Sequence, residues 1–282
     1  MIEIGKINKY TVKRETKSGY YLQVEGEFGE VFLPPSLSKT KVEIGQEVDA
    51  FVYVDSKDQL VASTFLPYAE VGEYALLECF DVQDFGAFFK WGISKDLLVP
   101  GNEQKIKVRK DEYALVRICI EEGTDRLFGT TKLGHYIENS QFDIAEGDKV
   151  EIVPAVETDL GYRVIVNKKY IGIIYHSEIF KDIFINKPID GFVKKIRDDG
   201  LVDTATQIQG IKNLDHSKIK ILEFLHKRGG RSHLHDKSSP EEISELLSMS
   251  KKTFKNAIGM LYKDRKIMIS KEGISLVKKK KD

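Results

Sequence analysis

Asp84-Phe85-Gly86-Ala87-Phe88-Phe89, followed after a short interval by Asp96-Leu97-Leu98-Val99-Pro100, is the stretch on which the reading of this chain turns. Two apolar, aromatic-rich runs are punctuated by Asp, Gly and Pro, the pattern of neighbouring strands joined by turns. The unit around them opens at Gly72-Glu73-Tyr74-Ala75 and closes near Asp125-Arg126-Leu127. A fainter copy precedes it: Gly5-Lys6-Ile7, Gly19-Tyr20-Tyr21-Leu22-Gln23-Val24, Gly29-Glu30-Val31-Phe32-Leu33-Pro34 and Gly45-Gln46-Glu47-Val48. Another follows: Gly147-Asp148-Lys149-Val150, Gly161-Tyr162-Arg163-Val164-Ile165-Val166 and Gly172-Ile173-Ile174-Tyr175-His176-Ser177-Glu178. A period of roughly 65 to 75 residues is too long for a solenoid repeat and suits tandem small domains.

Each unit offers about five strand runs, and five short strands suit a small barrel, because closure removes exposed edges. Gly19, Gly86 and Gly161 hold the same place between the first and second runs, where a glycine permits a positive φ or a tight bend. After residue 210 the apolar period changes from two to about 3.6. His216 to Lys227 reads as a helix with Ile219, Leu222, Phe224 and Leu225 near one face. Ser239-Pro240-Glu241-Glu242 is a helix start, with a serine cap, proline in the first turn and acids beside it. That helix carries Ile243, Leu246 and Leu247 and breaks at Ser248-Met249-Ser250. A third spans Lys251 to Asp264, and a hairpin follows over Lys266 to Val277. Helix, helix, turn, helix, hairpin is the order of a winged helix-turn-helix. The expected architecture is mainly β with a C-terminal α+β module. Barrels occupy 1–66, 67–137 and 138–210, and the winged helix 211–282.

The 282 residues carry 44 Lys and Arg against 44 Asp and Glu. That balance conceals a split, because 211–282 holds 18 basic against nine acidic residues and leaves 1–210 near −9. A basic end joined to an acidic body is the distribution expected if the end meets phosphates. Four of the basic residues are the terminal run Lys278 to Lys281, and the excess survives without them. The third helix contributes Lys251, Lys252, Lys255, Asn256 and Lys263 as a polar, basic face. There is no apolar run of membrane-spanning length, and Met1 to Tyr10 lacks the form of a secretory signal. Cys79 and Cys119 fall inside strand runs and read as buried reduced thiols, which suits the cytoplasm.

With these motifs in place, the chain resembles the bacterial conserved virulence factor B (CvfB, YitL-type) family. Phe85-Gly86-Ala87-Phe88 with Leu97-Leu98-Val99-Pro100 looks like the S1-type OB fold, and Gly172 to Ile179 resembles that fold's glycine, apolar, histidine, serine segment. The likeness spans the chain and rests on the order of its modules. It implies three S1-type OB barrels and a winged helix, in an RNA-binding protein with a post-transcriptional role and no known enzymatic chemistry. OB modules bind single strands by stacking bases on exposed rings while basic residues meet the backbone.

Carried over residue by residue, the resemblance makes Phe85 and Phe88 stacking residues and Arg126 a late-strand arginine, with Lys90 among the basic surroundings. The position often held by histidine becomes Phe32, Val99 and Tyr175 in the three units. The first stacking position becomes Ser18 and Leu160 in the outer units, and the second Tyr21 and Arg163. Phe85 and Phe88 are three apart and face opposite sides of a regular strand. Both reach one ligand only if Phe85 sits in the bend before Gly86.

The sequence-level expectation is a non-enzymatic binder of single-stranded RNA that needs no cofactor, metal or membrane. Lys251, Lys252, Lys255 and Asn256 would add nucleic-acid contacts through the winged helix. Two other readings stand beside it. One is a transcription regulator whose winged helix reads DNA. The other is a scaffold whose acidic barrels dock ribosomal or RNA-decay machinery. His233-Leu234-His235-Asp236 lacks further ligands at metal-site spacing and reads as a polar loop. No catalytic Ser-His-Asp or Cys-His order and no phosphate-cradling glycine loop is present.

Overall fold

A computed structural model describes residues 2–24, 29–179, 182–207, 211–270 and 272–277, with 211–216 described by backbone alone. The Lys278 to Lys281 run therefore lies outside the described residues. The first barrel comprises β1 (Ile7–Thr16), β2 (Gly19–Gln23), β3 (Glu30–Leu33), β4 (Glu47–Val54) and β5 (Leu60–Ser63), closed in the order β1-β2-β3-β5-β4. The second unit comprises β6 (Tyr74–Gln83), β7 (Gly86–Lys90), β8 (Leu97–Pro100), β9 (Tyr113–Ile120) and β10 (Leu127–Thr130). A short helix α1 (Gly134–Glu138) leads to the third barrel. Its strands are β11 (Lys149–Thr158), β12 (Gly161–Val166), β13 (Tyr170–Tyr175), β14 (Ile189–Ile196) and β15 (Val202–Ala205), closed as β11-β12-β13-β15-β14.

The second unit departs from full closure. Its sheet runs β10-β9-β6-β7-β8, and β8 lies against β10 without a hydrogen-bond ladder. Both edge strands are four residues long. They meet through side chains instead: a Cβ at Gly129 of β10 would come within 2.8 Å of Val99 and 3.0 Å of Leu97 on β8.

One device recurs in all three units and escapes a reading by alternation. Register shifts between Val12 and Arg14, between Cys79 and Asp81, and between Pro154 and Val156, at the same place in the first strand of each unit. Each bulge inserts one residue (Lys13, Phe80 or Ala155), bends the long strand round the barrel and reverses which side chains face outward beyond it. The glycine that opens the second strand is equally shared. A Cβ at Gly161 would stand 2.0 Å from the Ile174 carbonyl oxygen, and one at Gly86 2.7 Å from that of Val99. The third strand simply runs too close for a side chain.

The units are joined by core rather than by linker. Phe51, Tyr53 and Val61 of the first barrel share one apolar cluster with Trp91, Ile93 and Leu97 of the second. The Trp91 ring meets Phe51 edge-on at 5.6 Å, and its indole nitrogen donates to the Lys95 carbonyl at 2.6 Å. Tyr74, Leu76, Leu115 and Leu133 likewise share a cluster with Ala155, Ile165 and Ile171 of the third barrel. Main-chain bonds cross both boundaries, Val71 N to Gly5 O at 3.0 Å and Tyr74 N to Lys168 O at 2.7 Å. Cys79 and Cys119 are free and buried, and burial pushes both thiols up.

The C-terminal module is a winged helix: α2 (Ile211–Lys227), β16 (Arg231–Ser232), α3 (Pro240–Leu247), α4 (Lys251–Lys263), β17 (Ile267–Ser270) and β18 (Gly273–Leu276). Ser239 caps α3 by accepting from Glu242 N, and Ser250 caps α4 by accepting from Thr253 N. The apolar face of α2 differs from expectation. Ile221 and Leu225 are fully buried with Leu222 and Phe224 beside them, whereas Ile219 is 55% exposed. The buried stripe is set by i, i+4 spacing from Ser217, and Ile219 falls off it. No helix among the described residues is long and apolar enough to cross a membrane.

Candidate nucleic-acid interface

The candidate surface is the turn before the second strand of each unit, together with the outward residues of the strands that flank it. In the second unit β7 starts at Gly86, so Phe85 stands in the turn and is 61% exposed. Its carbonyl accepts from Gly101 N at 2.9 Å, which fixes the bend. Phe88 is half-buried on the outer side of β7, and the two rings meet edge to face at 5.8 Å and 88°. Ala87 and Phe89 between and beyond them point into the core. The bend thus brings onto one surface two rings that a regular strand would have separated.

Beside the pair runs a groove of about 710 Å³ between the first and second barrels. Phe88, Leu98, Leu127 and Phe128 supply its apolar walls, and Asp55 and Ser56 close it from the first barrel. Arg126 and Lys90, two of the expected cations, are already engaged. Arg126 grips Asp58 of the first barrel with contacts of 2.6 to 2.9 Å. Lys90 pairs with Asp96 at 2.7 Å and lies 3.8 Å above the Phe80 ring. Lys95 donates to the Val54 carbonyl at 2.6 Å, and burial pushes its ammonium below the ordinary lysine value against the pull of Asp55. Aromatic rings are therefore more available here than positive charge.

The outer units build different chemistry at the corresponding places. Tyr21 lies opposite Phe32, with ring centroids 5.2 Å apart, and the Arg14 guanidinium covers the Tyr21 ring at 3.6 Å. Arg14 also forms a forked pair with Glu30, and those hydrogen bonds hold the Glu30 carboxyl below its usual range. Arg14 went unnoticed in the sequence because the Lys13 bulge changes which side it faces. In the third barrel Arg163 is exposed and makes no ion pair among the described residues. Ser18 and Leu160 are exposed in the turns corresponding to Phe85, as the alignment of the units expects.

The set Phe32, Val99 and Tyr175 needs correction. Tyr21 pairs with Phe32, Phe88 with Leu98 and Arg163 with Ile173, so Phe32, Leu98 and Ile173 are the equivalent residues. Val99 lies one position later, opposite Ala87 and fully buried, and Tyr175 lies later still, opposite Gly161. Matching apolar runs by eye slips by one or two residues wherever the hairpin loops differ in length, and each single slip moves a side chain to the other face. Tyr175 remains half-buried, and its hydroxyl accepts from Arg197, which is itself paired with Asp203 at 2.6 Å.

On the winged helix, Phe254, Ala257, Ile258 and Leu261 bury one side of α4. Lys252, Lys255 and Asn256 stand exposed on the other, with Lys251 half-buried at its start. None of the three lysines is ion-paired among the described residues.

A model of the CvfB-like winged helix domain matches residues 219–276, and one of the S1 domain matches residues 4–65. The Bacillus subtilis protein YitL is 28% identical, the match covering 91% of this chain and 88% of that one. Conserved virulence factor B of Staphylococcus aureus is 26% identical over 85% of this chain and 82% of its own. This chain resembles conserved virulence factor B over most of its length. A crystal structure of a Streptococcus pneumoniae multidomain protein with nucleic acid binding domains aligns over 97% of this chain and 98% of its own, at 21% identity and a TM-score of 0.40. The S1 match falls on the first barrel, where Arg14, Tyr21 and Phe32 stack, and the winged-helix match contains the basic face of α4. Both ends of the resemblance to conserved virulence factor B thus carry one of the surfaces described above.

Proposed function

We propose that this chain binds single-stranded RNA, with the Phe85–Phe88 surface of the second unit as its principal stacking platform. It acts as a binding protein rather than an enzyme and regulates gene expression after transcription, in the cytoplasm. The observation that carries the reading is the exposed, bend-held pair of rings beside an apolar groove, since base–aromatic stacking is the main sequence-tolerant source of single-strand affinity. The S1 and winged-helix matches support it. The free lysines of α4 supply charge that the barrels, near −9 overall, do not. Filter binding of the full chain to short single-stranded RNA at low salt tests the proposal. Saturable binding that weakens with Phe85→Ala plus Phe88→Ala is expected, and its absence overturns the reading.

A second reading rests on α4 alone. Exposed Lys252, Lys255 and Asn256 on an otherwise well-packed helix suit the major groove of a duplex. Preference for a defined DNA duplex over single strands in the same assay would favour it.

A further inference from the structure

We infer that Glu103 makes the groove of the second unit selective for bases that carry an exocyclic amino group (adenine, cytosine and guanine) over uracil. This deepens the RNA-binding proposal and rests on it.

Corresponding residues of the three units frame the argument. A single 3-10 turn follows the third strand in each: Pro35–Leu37, Gly101–Glu103 and His176–Glu178. The last residue of that turn is Leu37, Glu103 and Glu178 in turn, and its carbonyl accepts from Thr64, Thr131 and Thr206 N respectively. The three side chains therefore leave equivalent points of the barrel. In the third barrel the carboxylate is buried and neutralised, Glu178 meeting Lys194 at 2.6 Å. The first barrel has no charge there. Only the second unit presents a carboxylate without an ion pair or hydrogen bond among the described residues. Lys194 itself sits in a bulge between Val193 and Lys195 of β14, and the regular pairing of β9 with β10 has no counterpart of it.

Glu103 is half-buried, lines the groove with Phe88 and Leu98, and is anchored through its carbonyl by Thr131 N at 3.0 Å and the Thr130 hydroxyl at 3.2 Å. Three other groove carboxylates are engaged, and a fourth, Glu122, is exposed. Asp55 accepts from the Lys57 and Gln59 amides, Asp96 pairs with Lys90, and Glu121 accepts from Thr124. A groove of this sign repels phosphate, so a strand lying on the Phe85–Phe88 pair turns its bases inward and its backbone out. A base entering edge-first meets an acceptor-only carboxylate. The amino groups of adenine, cytosine and guanine donate to it, whereas uracil flanks its one N–H with two carbonyl oxygens that oppose it.

The experiment is competition binding of the full chain with oligo(rA), oligo(rC) and oligo(rU) of equal length, for the wild type and Glu103→Gln. The wild type is expected to favour oligo(rA) and oligo(rC) over oligo(rU) by about five-fold or more. Glu103→Gln, whose amide both donates and accepts, should collapse that ratio by strengthening oligo(rU), while its thermal unfolding midpoint stays that of the wild type. Equal binding of oligo(rU) by the wild type, or an unchanged ratio in the variant, overturns the inference and leaves RNA binding standing. If no oligonucleotide binds the wild type at low salt, both readings fall.

Discussion

Phe85 combines two properties seldom found in one aromatic residue, a rigid place and an open face. Its turn is tied to Gly101 through the main chain, so truncating the ring removes contact area without releasing the bend. Phe85→Ala should therefore weaken single-stranded RNA binding by about 5- to 150-fold, the range of one base stack, while the unfolding midpoint hardly moves. A matched loss of stability would instead assign the ring to the core. Gly161→Ala makes the opposite case. A Cβ there stands 2.0 Å from the Ile174 carbonyl oxygen, on a backbone with φ of +147°. A destabilisation above about 2 kcal/mol by urea unfolding is expected, from strain and a displaced third strand. At this scale the glycine and the exposed ring were legible, since each follows from a turn and its neighbours. The engagement of Arg126 was not, because its partner Asp58 is 68 residues away and is brought near only by the packing of one barrel on another.

Among the elements, α4 separates its two duties cleanly. Its buried side holds α2 and the hairpin, and its exposed side holds unpaired lysines. Replacing Lys252 and Lys255 by alanine should leave folding intact. The slope of log affinity against log salt should flatten by about 1.4, two single-strand phosphate contacts at about 0.7 each. An unchanged slope would remove α4 from the interface. The helix ends were readable from Ser239, Pro240 and Ser250, because capping is a contract between neighbours in sequence. The two-residue strand β16 was not, being too short to show any period. The three shared bulges were also hidden. A bulge disturbs alternation at one residue and then restores it on the opposite face, so Arg14 reads as if it faced the wrong way.

For the molecule as a whole, the boundary between the first two barrels is the most consequential contact. Trp91→Ala would empty a site shared by both, and a loss of about 3–5 kcal/mol is expected. Hydrogen exchange should then show amides of both barrels losing protection together. Loss confined to the second would mean that the barrels open separately. The same boundary carries the Arg126–Asp58 fork, which is solvent-exposed on both sides and adds little to stability. Asp58→Asn should accordingly tighten RNA binding at low salt by freeing a cation at the groove, with little change in unfolding. Number and order of modules were legible from the repeat. Their fusion was not, since nothing in the sequence marks Phe51, Tyr53 and Trp91 as residues shared between two barrels.

Fusion has a further effect on what such a surface accepts. Beads on a flexible string adjust their separation to whatever they meet. Units welded through Trp91 and through Tyr74 hold the interval from one candidate surface to the next like the marks on a gauge. On the proposed RNA-binding reading, a strand that engages two marks at once must offer an unpaired stretch of matching contour, so length would be measured before any base is read.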